Sequence, residues 1–192
     1  MPIWGIVLIV LGMLIVLAAV CIVAWVIKVY NALVKLRNNV KEGYSTMDVY
    51  MKKRYDLVPN LVETVKGVAK HENETLENVM QARYSCMSAT TPKEKAANEN
   101  MLTDTLQKLF AVTENYPELK ANANFTQLQN ELSSIEGEIV NARKYYNGCV
   151  KIFNNKIEVF PSNLVARKFK FEQADLFEIE DKEERKTPQV KF

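Results

Sequence analysis

The chain holds few residues of the types that do chemistry in active sites. His71 is the only histidine, and His71-Glu72-Asn73-Glu74 begins like the zinc-binding motif of metallopeptidases. That motif needs a second histidine to complete its ligand pair, and the chain has none. The three cysteines, Cys21, Cys86 and Cys149, are scattered and lack the spacing of a zinc site. We therefore predict neither a metal site nor a metallopeptidase.

Other catalytic arrangements are equally incomplete. A cysteine nucleophile would have to lie against the single histidine, but Cys86 and Cys149 fall on apolar helix faces, where cysteine is typically an inert core residue. Glu131 and Glu136 resemble the carboxylate pairs of di-iron bundles, yet those sites also need Glu-x-x-His motifs. The six glycines are too dispersed for a phosphate-binding loop. We predict no enzyme, no catalytic residue and no cofactor.

Several charged residues lie on or near helix faces that we predict to be buried. Arg54 follows Tyr50 on the apolar face of its helix, so its guanidinium should point inward. Buried charges persist where they are paired, and such pairs often specify helix register. An uncharacterised enzyme site or a lipid sensor is the alternative. We predict an inter-helix polar network that consists of Arg54, Asp56, His71, Arg83, Glu131, Glu136, Arg143 and Asn147.

The first element that positions these residues is an uncharged amino-terminal segment. Residues Ile3 to Ile27 contain no charged side chain, and as a helix rising about 1.5 Å per residue they exceed the roughly 30 Å hydrocarbon core of a bilayer. Trp4 and Trp25 would place one indole at each membrane interface. The segment lacks the basic start of a secretory signal, and the residue before Cys21 is too large for a lipoprotein site. We predict a retained transmembrane anchor over residues 1–27.

The flanking charges predict the orientation of this anchor. Four basic residues follow it and none precedes it; they are Lys28, Lys35, Arg37 and Lys41. By the positive-inside rule the short amino terminus faces outward and the rest of the chain lies in the cytoplasm. The formal net charge is only +2, which excludes a strongly basic nucleic-acid binder.

The rest of the chain shows helical periodicity without strand alternation. A heptad seam continues from the anchor through Val29, Leu33, Leu36, Val40, Gly43 and Met47. Pro59 is predicted to end or sharply kink this helix near Leu57. Three further helices are predicted over about residues 60–89, 93–115 and 124–153. Thr91 with Glu94 should cap the third helix, and Asn124 the fourth.

Four helices joined by short connections rich in Pro and Asn predict an all-α protein, with a single transmembrane helix followed by an antiparallel up-and-down four-helix bundle. An extended coiled-coil oligomer is the alternative, but such connections return the chain on itself. We assign the bundle to residues 28–172. The acidic residues 173–192 lose periodicity and are predicted to form a disordered tail.

Two surfaces are predicted to contact partners. The seam from Val29 to Met47, with Gly43 permitting close approach, is a candidate for self-association into a homo-oligomer; its use inside the bundle is the alternative. An up-and-down bundle returns its fourth helix to the membrane, which brings basic and aromatic residues to the anionic inner leaflet. With Trp4, Trp25, Lys28, Lys35, Arg37 and Lys41, the predicted membrane interface includes Arg167, Lys168, Phe169, Lys170 and Phe171. Pairing of these basic residues with the acidic tail is the alternative.

Several stretches carry a resemblance to a known family. The longest are Lys53-Arg54-Tyr55-Asp56-Leu57-Val58-Pro59-Asn60-Leu61-Val62, Asn115-Tyr116-Pro117-Glu118-Leu119-Lys120-Ala121-Asn122 and Phe160-Pro161-Ser162-Asn163-Leu164. Through them the chain resembles the LemA family over nearly its whole length. The resemblance implies a bacterial inner-membrane protein with a cytoplasmic four-helix bundle and no established catalytic activity. Genes of the family often lie near membrane peptidases, which implies a membrane peptidase as a partner.

These observations together predict a nonenzymatic, membrane-anchored scaffold or adaptor that presents a helical bundle for self-association or partner binding, with membrane shaping as one form of the role. An adaptor or regulator of a membrane peptidase in envelope quality control is the alternative, and a lipid sensor or an uncharacterised enzyme is a more distant one.

Overall fold

A computed structural model describes residues 3–178 of the chain. Every regular element in that range is a helix, which confirms the predicted all-α class. The helices are α1 (Ile3–Lys66), α2 (Asn73–Ser88), α3 (Pro92–Thr113), α4 (Pro117–Lys120), α5 (Ala123–Glu158) and α6 (Ser162–Lys168). The four and seven residues of α4 and α6 are too few to show periodicity, and neither helix was predicted.

The first 25 residues of α1 expose most of their large apolar side chains, and Trp4 is 80% exposed. Among the described residues, α1 is the one helix long and apolar enough to cross a membrane. A continuous exposed apolar surface is unfavourable in water. The segment therefore indicates membrane anchoring.

The sequence predicted that Pro59 ends or sharply kinks the first helix near Leu57; the helix does not end there but continues to Lys66. Proline lacks the N–H that would donate to the carbonyl four residues earlier, which here belongs to Tyr55. Arg83 on α2 replaces that donor, because its Nε donates to the Tyr55 carbonyl oxygen over 2.6 Å. The inner face around and beyond the proline is also fully buried, at Val58, Leu61 and Val65. The burial of this face and the hydrogen bond from Arg83 thus maintain α1 through Pro59.

Replacing Arg83 by methionine is expected to lower the free energy of unfolding by about 1–3 kcal/mol, because it leaves the Tyr55 carbonyl without its donor. In a Pro59→Ala background the restored N–H can donate to the same carbonyl, so the Arg83→Met change should cost less there. Urea denaturation of the four proteins of this double-mutant cycle measures the difference. An equal cost in both backgrounds would show that Arg83 stabilises the fold by another route.

The predicted start of the second helix is wrong by about thirteen residues. Residues 60–66, assigned to the second helix, belong to α1, and α2 begins only at Asn73. The break lies over residues 67–72, which begin with Gly67, a residue of low helix propensity. His71 lies in this connection.

The predicted capping of α3 is confirmed. The Thr91 hydroxyl accepts from the Glu94 N–H, and the Glu94 carboxylate accepts from the Thr91 N–H, each over 3.2 Å. The backbone N–H of Thr91 is the main cause of the lowered pKa of Glu94. At α5 the prediction is wrong by two residues, since Asn122, not Asn124, accepts from the first N–H groups of the helix, at 2.9 Å and 3.3 Å.

The described residues divide into two compact units. The first unit comprises residues 3–42 and 149–174, and the second comprises residues 43–148 and 175–178. The predicted self-association seam is buried within the chain: Val29, Leu33 and Val40 in the first unit, and Gly43 and Met47 in the second. Leu36 alone in the seam is partly exposed. The seam is therefore wrong as a surface for a second copy, because the chain's own residues already cover it.

Gly43 serves a close approach inside the second unit. A Cβ added there would lie 3.2 Å from Cα of Tyr146 on α5, closer than side chains normally pack. The prediction that Gly43 allows a neighbouring helix to come near is thus confirmed, with α5 of the same chain as the neighbour.

The tail predicted to be disordered from Gln173 is ordered as far as Glu178. In the second unit the Asn147 side chain donates to the Phe177 carbonyl over 3.1 Å and accepts from the Phe177 N–H over 2.9 Å. The Tyr146 hydroxyl donates to the Asp175 carbonyl over 2.7 Å. Phe177 is only 2% exposed, and this burial offsets the solvation of its acidic neighbours. Residues 179–192 of the predicted tail lie outside the described residues.

Candidate functional site

A buried ionic cluster in the second unit joins three helices. Arg54 on α1 is 1% exposed and forms ion pairs with Glu99 on α3 and Glu136 on α5. Its Nη1 also donates to the Thr103 hydroxyl over 3.0 Å. The hydroxyl of Tyr55 donates to Glu99. The inward orientation predicted for Arg54 is therefore confirmed.

The electrostatics of the cluster favour the protonated forms of Arg54, Tyr55 and Cys86 at neutral pH. Burial alone would lower the pKa of Arg54, but the carboxylates of Glu99 and Glu136 outweigh it and raise that pKa. Burial and the neighbouring Glu99 raise the pKa of Tyr55 and raise the pKa of the Cys86 thiol to about 12. A thiol of that pKa holds very little thiolate, so Cys86 is not activated for nucleophilic attack.

The free energy of unfolding is expected to fall as the pH rises above about 9, because the folded state raises the pKa of Cys86 and of Tyr55. Below that pH both groups are protonated whether folded or unfolded; above it, the unfolded chain releases protons that the folded chain retains. Urea denaturation between pH 7 and pH 11 measures the loss. Cys86→Ala and Tyr55→Phe should each flatten the profile, whereas Tyr84→Phe, at an exposed position, should leave it unchanged. A profile that none of these variants alters would contradict this origin.

The structure brings together only part of the predicted polar network. Arg54 pairs with Glu136, Arg83 bonds the Tyr55 carbonyl, and Asn147 bonds the backbone of Phe177. Arg143 is half-buried. The remaining three members are exposed and do not belong to the network; they are Asp56, His71 and Glu131.

Each of the three exposed residues has a local reason for its position. Asp56 is two residues from Arg54 and therefore on a different face of α1. His71 lies in the connection between α1 and α2. Glu131 accepts from Gln127, four residues earlier on the same helix, over 3.0 Å. Their inclusion in the predicted inter-helix network was therefore wrong.

Three members of the cluster were missed from the sequence: Tyr55, Glu99 and Thr103. A signal existed for Glu99, which precedes Leu102 by three residues and Leu106 by seven on the buried stripe of α3. A charged residue on such a stripe predicts a buried ion pair, although the stripe does not identify the partner. Thr103 lies beside that stripe and carries no comparable signal.

A groove of about 590 Å³ lies beside the cluster, within the second unit. Its apolar lining consists of Leu106, Phe110, Leu132 and Val140. The Glu136 side chain is 41% exposed, whereas that of Arg54 is 2% exposed. Within residues 3–178 no group of three or more metal-binding side chains forms a site. The groove offers an apolar surface with polar groups on its walls, without an activated nucleophile.

A second arrangement lies in the first unit, where aromatic residues of α1 and of the segment after α6 meet. The ring of Tyr30 lies 4.8 Å from that of Phe169 and 5.8 Å from that of Phe171, measured between centroids. The guanidinium of Arg37 lies 5.2 Å from the Phe171 centroid. The structure thus brings the predicted basic and aromatic segment beside α1, three residues beyond Ile27.

The basic residues of this arrangement are exposed; they are Lys28, Lys35, Arg37, Lys41, Arg167, Lys168 and Lys170. Phe169 is 48% exposed, and two further apolar side chains near it in sequence, Phe160 and Leu164, are 74% and 55% exposed. These two were not predicted as interface residues. Exposed aromatic side chains beside basic ones are typical of surfaces that contact lipid headgroups.

Comparison with known proteins gives a consistent set of similarities. The family model described as LemA family matches residues 43–192. Protein LemA of Metamycoplasma hominis is 28% identical over 152 residues, which cover 77% of this chain and 68% of that protein. Magnetosome proteins MamQ 1 and MamQ 2 of Paramagnetospirillum magneticum are each 22% identical over 189 residues, which cover 85% of this chain and 70% of each relative.

Proposed function

The chain belongs to the LemA family, as its motifs predicted, and from that premise we propose that it is a nonenzymatic, membrane-anchored helical scaffold or adaptor at the inner leaflet of a bacterial cell membrane. Residues 3–27 form its single span, with the amino terminus outside and the remaining chain in the cytoplasm. The helices α1, α2, α3 and α5 form an antiparallel up-and-down bundle. A membrane-shaping role is one form of this proposal.

The observation that carries the proposal is the packing of Tyr30 against Phe169 and Phe171. Tyr30 follows the uncharged segment by three residues, or about 4.5 Å along the helix. The packing therefore supports a position of the exposed basic residues Arg167, Lys168 and Lys170 near lipid headgroups. Each basic residue near an anionic surface contributes about 1 kcal/mol to binding. Lys41 contributes least, because it lies about 21 Å beyond Ile27 along α1.

The nonenzymatic part of the proposal is supported by the chemistry of the buried cluster. Its carboxylates are engaged by Arg54 and Tyr55, and the thiol of Cys86 is protonated. These contacts stabilise the packing of three helices. A scaffold needs this rigidity more than it needs a reactive group.

The lipid contact is testable with the full chain reconstituted in liposomes. A fluorophore on Leu164→Cys, which leaves the packing of Tyr30 against Phe169 intact, is expected in a Cys21→Ser background to be quenched by headgroup-labelled nitroxide lipid more strongly in anionic than in zwitterionic liposomes. Reversing three charges, with Arg167→Glu, Lys168→Glu and Lys170→Glu, should weaken the contact by more than about 100-fold, since the loss of three basic residues alone removes about 3 kcal/mol and the new carboxylates are repelled by the anionic surface.

The matched control changes the net charge by the same amount in the second unit, with Lys66→Glu, Lys70→Glu and Lys93→Glu at exposed positions. It should leave the quenching unchanged. Quenching that is equal in the two kinds of liposome would remove the lipid contact from the proposal.

A second function, an adaptor of a membrane peptidase, is favoured by the groove in the second unit, since a groove with polar and apolar walls suits a protein ligand. Crosslinking in intact membranes distinguishes the two functions. Adducts between copies of the chain support a scaffold, and adducts with a peptidase support an adaptor. Digestion of residues 59–178 by protease added outside intact cells would overturn the proposed orientation and both functions.

A further inference from the structure

We propose that the groove beside Arg54 binds an extended peptide segment of a partner protein, and that this segment carries one basic side chain among apolar ones. The inference names the kind of partner for the adaptor function and rests on it. Binding to the groove can be measured in detergent, without lipid headgroups, so it can fail independently of the membrane contact.

The helix α5 already binds an extended segment of this chain on the face that also lines the groove. Asn147 donates to the Phe177 carbonyl and accepts from the Phe177 N–H, at 3.1 Å and 2.9 Å. Val140 and Ser133 precede Asn147 by seven and fourteen residues, which places them on the same face of the helix. Both line the groove. The groove is therefore the continuation, along α5, of a surface that binds extended chain.

Polar side chains of the groove could form hydrogen bonds with a peptide backbone. The groove walls include three exposed amide side chains, those of Gln107, Gln129 and Asn141. Each can pair with a peptide N–H and C=O as Asn147 does. The Nε of Arg54 is buried and has no hydrogen-bond acceptor among residues 3–178. Because a buried donor without an acceptor is unfavourable, a peptide carbonyl at this point would be stabilising.

The buried ionic cluster has a net negative formal charge. Arg54 contributes one formal positive charge, and Glu99 and Glu136 contribute two negative charges, so the cluster has a formal charge of −1. Among the described residues, Arg54 and Glu136 are the charged side chains that line the groove, whereas Glu99 pairs with Arg54 without being part of the lining. Arg54 engages Oε2 of Glu136, and that side chain remains 41% exposed. A lysine or arginine of the ligand can therefore approach Glu136, and its charge would complement that of the cluster.

Gly137 offers a way to block the groove without disturbing the fold. A Cβ added at Gly137 meets no atom within 4 Å, and the residue lines the groove. Gly148 on the same helix is equally unobstructed but does not line the groove. Gly137→Leu and Gly148→Leu are therefore a matched pair with similar effects on helix propensity.

The test measures fluorescence anisotropy of two labelled decapeptides titrated with the full chain in detergent micelles. In both peptides Leu, Phe and Ser alternate, around a central lysine in one and a central glutamate in the other. The lysine peptide is expected to bind at least about tenfold more tightly. Gly137→Leu should weaken its binding at least about tenfold, whereas Gly148→Leu should not. Glu136→Gln should reduce the preference for lysine.

Three outcomes would overturn the proposal. One is equal affinity for the two peptides, and another is unchanged binding by Gly137→Leu. The third is binding that appears only after truncation behind Glu178, which would assign the groove to the chain's own carboxyl-terminal residues. Thermal denaturation of each glycine variant shows whether a loss of binding reflects a loss of fold.

Discussion

Replacing Arg54 by methionine is expected to lower the free energy of unfolding by about 3–5 kcal/mol, the cost of removing one partner from a buried ion pair. The variant leaves Glu99, which is 4% exposed, without its cation, and leaves Glu136 without its main partner. Tyr55 would still donate to the Glu99 carboxylate, but its hydroxyl carries no compensating charge. Urea denaturation of the full chain in mild detergent, followed by circular dichroism, measures the change.

The control for this experiment is Lys52→Met, which removes a basic residue from an exposed position two residues away and should change stability by less than about 0.5 kcal/mol. Adding Glu99→Met to Arg54→Met should restore much of the lost stability, because no uncompensated charge then remains at that position. A loss below about 1 kcal/mol for Arg54→Met would show that the cluster does not hold the helices together.

Replacing Phe177 by alanine is expected to lower the free energy of unfolding by about 3–5 kcal/mol, the usual range for truncating a buried phenylalanine. Phe177 is 2% exposed and belongs to the segment that the sequence predicted to be disordered. Amide hydrogen exchange at Phe177, whose N–H donates to Asn147, should become faster in the same variant.

Phe160→Ala makes the same chemical change at a side chain that is 74% exposed, so it should alter stability by less than about 0.5 kcal/mol. If Phe177→Ala and Phe160→Ala have equal effects, residues 175–178 do not contribute to the folded second unit. In that case residues 175–178 would no longer be an example of extended chain bound by α5, and the proposed peptide binding would lose that support.

The buried cluster bears directly on the shape of the groove proposed to bind a peptide. Ion pairs that link α1, α3 and α5 impose one packing register, since any shift would leave a charge buried without its partner. A fixed register gives a fixed groove, which is the requirement for specific recognition of a peptide. The same residues therefore serve stability and the proposed binding function.

Features that depend on neighbouring residues were predictable from the sequence by itself. The uncharged run from Ile3 to Ile27, the helical periodicity and the capping box of Thr91 and Glu94 are all local, and the structure confirms the helical class and the capping box, although not the predicted boundary between the first two helices. The family was also recognisable, because its motifs are short runs of sequence. Helix class and anchoring follow from such patterns because hydrophobic periodicity and segment length act within one element.

Features that depend on distant residues were decided only by the tertiary structure. Arg54 meets Glu99 and Glu136 across 45 and 82 residues of sequence, and no periodicity relates such partners. The helix α1 passes Pro59 because Arg83, 28 residues away, supplies the missing donor to Tyr55. The order of residues 175–178 likewise depends on contacts with α5. A local signal is overridden wherever burial and hydrogen bonds from another element outweigh it, and those contacts exist only once the chain has folded.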